Sequence, residues 1–243
     1  MSFLLLHGSA QSARGWDRLR AALEAGGHDV VCPELPKSAP TWALGDYAAS
    51  VAEHVGTTPP VVVAHSFSGV FLPLIARQRP CALLVFLAAV IPEPGRSVRD
   101  QFTADAGMFS PDWIAAGPRW FDPAHRQDLS REFLFHDCDP QTLPWALSSV
   151  ELFDTRHLVT EPAPFPSWPE VPAASIVATG DRTLTADWGR RTGRRVLGVE
   201  SLAIDSGHCP HVSRPERLAA MLLGLAGNLA NRGSFRGTNE VAS

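Results

Sequence analysis

Short apolar runs rich in Val, Leu and Ile alternate along the chain with stretches in which apolar residues return every three or four positions. Residues 3–6, 61–64 and 83–88 carry no charge, as strands buried on both faces of a parallel sheet require. Residues 28–32, 175–179 and 200–204 read as further strands. Between them, Trp16, Leu19 and Leu23 keep helical spacing until Gly26 and Gly27 stop the helix. Leu44, Tyr47, Ala48, Val51 and Val55 trace one face of a second helix, and a third follows residue 64 and ends near Pro80. Ser213 and Glu216 have the spacing of a capping box opening a last helix, with Leu218, Met221, Leu222 and Leu225 on its apolar face. Strand and helix in alternation predict an α/β fold, a mostly parallel sheet flanked by helices.

The alternation lapses between residues 92 and 172. That third of the chain holds 12 of the 21 prolines and 11 of the 20 Phe, Trp and Tyr residues. A structureless loop of such length is rare, so an inserted, mainly helical cap is expected there. The core would then comprise 1–91 and 173–230, and the polar, glycine-bearing residues 231–243 a disordered tail.

Composition narrows the function classes. A chain of 243 residues with 45% hydrophobic content suits one sizeable domain, and a net charge of −4 without a basic stripe argues against a nucleic-acid partner. The arginines of "GRRTGRRV" (189–196) read as a solvated helix end. "FLLL" near the start is too short for a signal-peptide core, and no run approaches the ~18 apolar residues of a membrane span. Cys32, Cys81, Cys138 and Cys209 are scattered without metal-type spacing and read as reduced thiols, so a cytoplasmic location is expected. His136, Asp137 and Asp139 lie close together in "FLFHDCDP", which reads as a polar helix end. Neither a metal nor a cofactor is expected, and the partner expected is a small-molecule substrate.

Chemistry concentrates at "VVVAHSFSGV" (61–70), where a valine run ends in His65, two serines and a glycine. A serine exposed on a tight strand-to-helix turn needs small neighbours two before and two after it, because strand and helix nearly touch there. Centred on Ser66, those neighbours are Ala64 and Ser68, and Gly69 adds room; centred on Ser68, Val70 would be crowded. Ser66 is therefore the exposed serine.

"VAHSFSG" resembles the nucleophile elbow of the α/β-hydrolase superfamily, with Ala64 and Ser68 where glycines are commonest. "LLLHGSA" (4–10) resembles that family's His-Gly segment after the first strand. The resemblance implies an oxyanion hole made by the backbone N–H groups of Ser9 and Phe67, the latter at a helix N-terminus. It also implies a histidine after the last strand, which "DSGHCPH" supplies as His208 with His211 as the rival. The orienting acid should follow the penultimate strand, where "ATGDRTL" places Asp181; Asp205 and Glu93 are the alternatives. His65 fills a variable slot of the elbow and reads as structural.

Serine at 66 sets the chain apart from dehalogenases and epoxide hydrolases of this fold, which use aspartate there. "TGDRTL" and "DSGHCP" are most similar to the methylesterase and hydroxynitrile-lyase branch and its bacterial relatives. The plant lyases of that branch carry Thr and Lys where this chain has Gly8 and Cys209, which points to ester hydrolysis. The expected function is a serine carboxylesterase acting on a small, largely apolar ester through Ser66, His208 and Asp181. Gly8, Phe102, Phe109, Trp113, Trp120, Phe121 and Trp145 are the candidate substrate-binding residues, Phe153 being a further aromatic of the insertion. A lyase or cyclase using the same groups for acid–base chemistry, or a small-molecule receptor on the same scaffold, are the alternatives.

Overall fold

The most branched and least polar runs of the chain lie at the middle of its sheet. The computed structural model describes residues 1–37 and 39–237. Six strands, β1 (Ser2–Leu6), β2 (Asp29–Val31), β3 (Val61–His65), β4 (Leu83–Leu87), β5 (Ala173–Ala178) and β6 (Leu202–Ile204), form one sheet in the order β2-β1-β3-β4-β5-β6. Every pairing is parallel. All five residues of β3 and of β4 are buried, as helices on both faces demand. The three-residue edge strands β2 and β6 carry the exposed apolar side chains Val31 and Leu202.

Side chains of a strand alternate between faces, and each face of this sheet has its own core. Leu4, Leu6, Val62, Ala64, Leu84 and Phe86 pack against α2 (Leu44–Ala52), α3 (Leu72–Ala76) and Trp188 of α8 (Ala186–Thr192). Phe3, Leu5, Val63, Val85 and Leu87 pack against Leu19 and Leu23 of α1 (Asp17–Ala25) and Leu218 and Leu222 of the last helix, α10 (Pro215–Gly237).

Between β4 and β5 the chain forms α4 (Val98–Ala104), α5 (Pro111–Ala116), α6 (Pro123–Leu129) and α7 (Leu143–Ser148). Trp120, Leu129, Phe133, Phe135 and Ala146 make a third apolar cluster, which also takes in Cys209 and Val212 from beyond β6.

Three local expectations need correction. The segment after β3 is a 3-10 helix over Ser66–Phe71 before α3 begins, and α3 stops at Ala76, short of Pro80. Pro73 has no N–H to give and suits the first turn of the α-helix that restarts there. Ser213 does not cap α10: it ends α9 (Pro210–Ser213), its hydroxyl donates to Asp137 Oδ2 at 2.7 Å, and Pro215 opens α10 instead. The expected tail is helical as far as Gly237, and its remaining residues, 238–243, lie outside the described residues. The arginines of 189–196 are paired at the surface: Arg191 with Asp105, Arg195 with Glu93 and Arg194 with Glu200.

Candidate active site

Parallel register decides which loops meet. Leu6 pairs with Ala64, so the residues two further on, Gly8 and Ser66, leave the sheet side by side. Because β2 lies on the other side of β1 from β3, this is the place where the winding of the sheet reverses, the usual ligand crevice of such folds. Ala178 pairs with Ile204, and Gly180 N–H donates to Ser206 C=O at 2.9 Å, so the loops carrying Asp181 and His208 are joined edge to edge.

Ser66 has φ of +58°, a left-handed conformation rare for a residue with a Cβ. The strain turns its side chain out of the sheet, while Ser68 is fully buried with its hydroxyl donating to His7 C=O. His208 Nε2 lies 3.0 Å from Ser66 Oγ, and its Nδ1 lies 2.7 Å from Asp181 Oδ2. The His208 and Asp181 side chains are 3% and 1% exposed, so the carboxylate is out of water and compensated by donors. Those donors are the imidazole and, on Oδ1, the Thr183 N–H at 2.7 Å and hydroxyl at 3.0 Å. Thr183 Oγ1 also lies 2.8 Å from His208 Nδ1. One proton sits on that nitrogen, and the charged carboxylate is the stronger acceptor, so the ring is fixed with Nε2 free to accept from Ser66.

The loop after β1 reaches Ser66 because residue 8 is glycine: a Cβ there would stand 2.8 Å from Ser66 Cβ and 2.9 Å from His65 Nδ1. The loop is held by backbone pairing to the insertion, with Phe153 N–H donating to Ser9 C=O at 2.7 Å and Glu151 N–H to Ala10 C=O at 3.2 Å. His7 accepts the Leu35 N–H at Nε2, which leaves Nδ1–H to donate to Gly8 C=O at 2.9 Å. Among the described residues Ser9 N–H donates to nothing, and Phe67 N–H is one of the first amides of the turn Ser66–Phe71. Both are free to hold an anion.

The rival groups are placed elsewhere. His211 is fully buried, directs Nε2–H to Gln11 Oε1 at 3.0 Å, and is pushed down to about 3, chiefly by burial and then by His208. His65 donates from Nε2 to His208 C=O at 2.8 Å, and burial likewise holds it neutral, well below the ordinary histidine range. Among the described residues Asp205 meets only the Thr179 hydroxyl, at 3.5 Å, and Glu93 is bound by Arg195 and Arg96, whose hydrogen bonds and charge lower it. His65, Cys209 and His211 bring potential metal-ligand atoms within 4.8 Å of one another. His65 and His211 each already spend a ring nitrogen on a protein acceptor, and burial raises the Cys209 thiol well above its ordinary value, so the trio forms a packed layer behind His208.

Of the residues expected to line a substrate pocket, Gly8 and Trp113 face the cleft at Ser66, which Leu134 closes on the insertion side. The enclosed space is about 20 Å³. The other aromatics lie away from it, in packing or at the surface. Phe102 and Phe109 meet edge to face at 5.6 Å against the core, and Trp120 is buried against Trp113 at 4.9 Å. Phe121 is 49% exposed beneath Arg156, and Trp145 faces a surface groove beside Arg18 and Thr142. Phe153 packs on Tyr47, Phe67 and Phe71. The sequence reading missed Thr183, although Asp-x-Thr is a local pattern in which the hydroxyl turns back to the carboxylate. Asp137, read only as part of a polar helix end, has partners 70 and 76 residues away, Gly207 and Ser213.

A histidine held between a buried carboxylate and a hydroxyl can take the hydroxyl's proton, and two unpaired amides beside it can stabilise the oxyanion that an attack would form. The chain is similar to known proteins over nearly its whole length. It is 26% identical to Methylesterase 7 of Arabidopsis thaliana, covering 94% of this chain and 97% of that protein. It is 29% identical to Norfluorocurarine synthase 1 of a Strychnos species, covering 92% and 94%. The crystal structure of a pyrethroid hydrolase from Sphingobium faniae JZ-2 superposes with a TM-score of 0.76 at 21% identity, covering 95% of this chain and 99% of that one, which shows the shared fold. The sequence profile of the alpha/beta hydrolase family matches residues 3–221, and the chain belongs to that family.

Proposed function

We propose that the protein is a serine carboxylesterase that cleaves a small, largely apolar ester through an acyl-enzyme. The observation that carries this reading is the hydrogen-bonded chain Ser66–His208–Asp181, 3.0 and 2.7 Å long, hung on a strained serine. Ser66 Oγ attacks the ester carbonyl as His208 Nε2 takes its proton, and Asp181 holds the imidazolium that results. The tetrahedral oxyanion lies between the amides of Ser9 and Phe67. His208 then returns the proton to the departing alkoxide, and water drawn in by the same base releases the acid. The similarity to Methylesterase 7 supports ester cleavage. An enclosed space of about 20 Å³ has room for about one water-sized group, so short acyl chains should be preferred until Trp113 and Leu134 move aside. Hydrolysis of p-nitrophenyl acetate and butyrate tests the proposal, and activity undiminished in Ser66→Ala would sink the mechanism.

The similarity to a protein named a synthase supports a second reading, in which His208 does acid–base work without an acyl-enzyme. Mass spectrometry of quenched enzyme separates the two, because only the first leaves an acyl group on Ser66.

A further inference from the structure

The segment that carries His208 is anchored from outside the core. Asp137 lies in the insertion, just after the π-helical turn Ser130–Leu134, and its carboxylate is 14% exposed. Its Oδ2 accepts the Gly207 N–H at 2.8 Å and the Ser213 hydroxyl at 2.7 Å. These donors bracket the stretch 207–213, so one oxygen pins the residue before His208 and the far end of α9 together. Gly207 is close enough that a Cβ there would stand 2.6 Å from Asp137 Oδ1 and 2.7 Å from His136 Cε1. The charge is compensated by Arg214, whose Nη2 is 3.9 Å from Oδ2. Nothing within the core does this work for Gly207: among the described residues its N–H donates to Asp137 alone.

We propose that Asp137 is a positioning residue for His208, which sets the base against Ser66 through Gly207 and makes productive geometry depend on the seating of the insertion. The proposal rests on the serine-hydrolase reading above. Its logic is geometric. The His208 ring must hold two bonds at once, to Ser66 and to Asp181, and its backbone carbonyl is already fixed by His65. Releasing the peptide one residue earlier lets the ring swing about that fixed point. A displacement of about 1 Å at a reacting group costs about 10²-fold in rate.

The test compares Asp137→Ala, Asp137→Asn and Ser213→Ala with wild type on p-nitrophenyl acetate. Rates are normalised to the end point of fluorophosphonate labelling, which counts assembled sites whatever their speed. Asp137→Ala should lower normalised kcat by about ten- to a hundredfold with KM within about twofold, because substrate contacts are untouched. Asp137→Asn keeps an acceptor for both donors and should restore most of kcat. Ser213→Ala removes one of the two tethers and should fall between them, and it also serves if Asp137→Ala does not fold. A normalised kcat unchanged in both Asp137→Ala and Ser213→Ala would overturn the positioning role, as would an Asn variant as slow as the Ala one. Wild type that neither labels nor turns over would instead overturn the esterase reading, and the positioning role with it.

Discussion

Replacing Gly8 with alanine tests whether the loop after β1 must touch the nucleophile turn. The added Cβ would stand 2.8 Å from Ser66 Cβ, where carbon atoms prefer roughly 3.5–4.0 Å, so about 1 Å of movement is forced. Ser66 has little freedom to move, because its strained φ is set by β3 and the helical turn that follows. His65, 2.9 Å from the same Cβ, is buried and held by its bond to His208 C=O. The loop must therefore give way, taking the Ser9 N–H with it and stretching the bond from Phe153. Overpacking of this kind costs about 1–3 kcal/mol of stability, which at about 2–4 °C per kcal/mol for a chain of this size lowers Tm by a few to about ten degrees. Loss of one oxyanion donor's alignment costs about 10²- to 10³-fold in kcat. Steady-state kinetics on p-nitrophenyl acetate, with thermal unfolding on the same preparation, should show kcat falling far more than KM rises. Alanine at position 8 with wild-type kcat would refute both the close approach and the role of Ser9.

Asp181→Asn should leave the fold intact but lower kcat by about 10⁴-fold, since the amide no longer fixes the His208 tautomer; a loss under tenfold would count against that role. Leu134→Ala and Trp113→Ala should each shift the p-nitrophenyl ester preference toward longer acyl chains, and an unchanged butyrate-to-acetate ratio in both would remove them from the pocket. Cys209 should resist thiol reagents in the native protein, as burial keeps its thiol protonated, and Cys209→Ala should label with fluorophosphonate at the wild-type rate. His211 is neutral in the folded chain down to about pH 3 but takes a proton near 6.5 when unfolded, so its contribution is complete above 6.5 and is lost as pH falls below it. Stability measured by chemical denaturation should fall more steeply in wild type than in His211→Asn as pH drops below 6.5, the extra slope approaching about 1.4 kcal/mol per pH unit near pH 5, and equal slopes would contradict the buried neutral ring.

The sheet was legible because its central strands are apolar on both faces, a pattern that survives without tertiary knowledge. The elbow was legible for a related reason: small residues at 64 and 68 are a local steric demand, and Ser66 does adopt the strained φ they permit. His208 and Asp181 could be placed in sequence by the strands before them, and parallel register then brings their loops together. Residues 92–172 were legible only as a break in the alternation, where the chain forms helices between β4 and β5. Their aromatics had two possible employments, pocket and packing, and composition does not choose between them; Trp120 and Phe153 went to packing, and Phe121 to the surface. Asp137 was legible only as a polar helix end, because its bonds are to Gly207 and Ser213, which only folding brings near. The Ser213 capping box failed for the same reason: the hydroxyl found a carboxylate from the insertion instead of the helix behind it.

One covalent measurement addresses Ser66, His208 and the two backbone amides together as the proposed acyl-transfer site. A fluorophosphonate reacts with serine only when a base and an oxyanion hole act together, and the modified peptide is identified by mass spectrometry. Phosphonylation of Ser66 should be stoichiometric, absent in Ser66→Ala, and slowed by about 10²- to 10⁴-fold in His208→Ala. Folded wild-type protein that stays unmodified, or that is modified on another residue, would contradict the proposal.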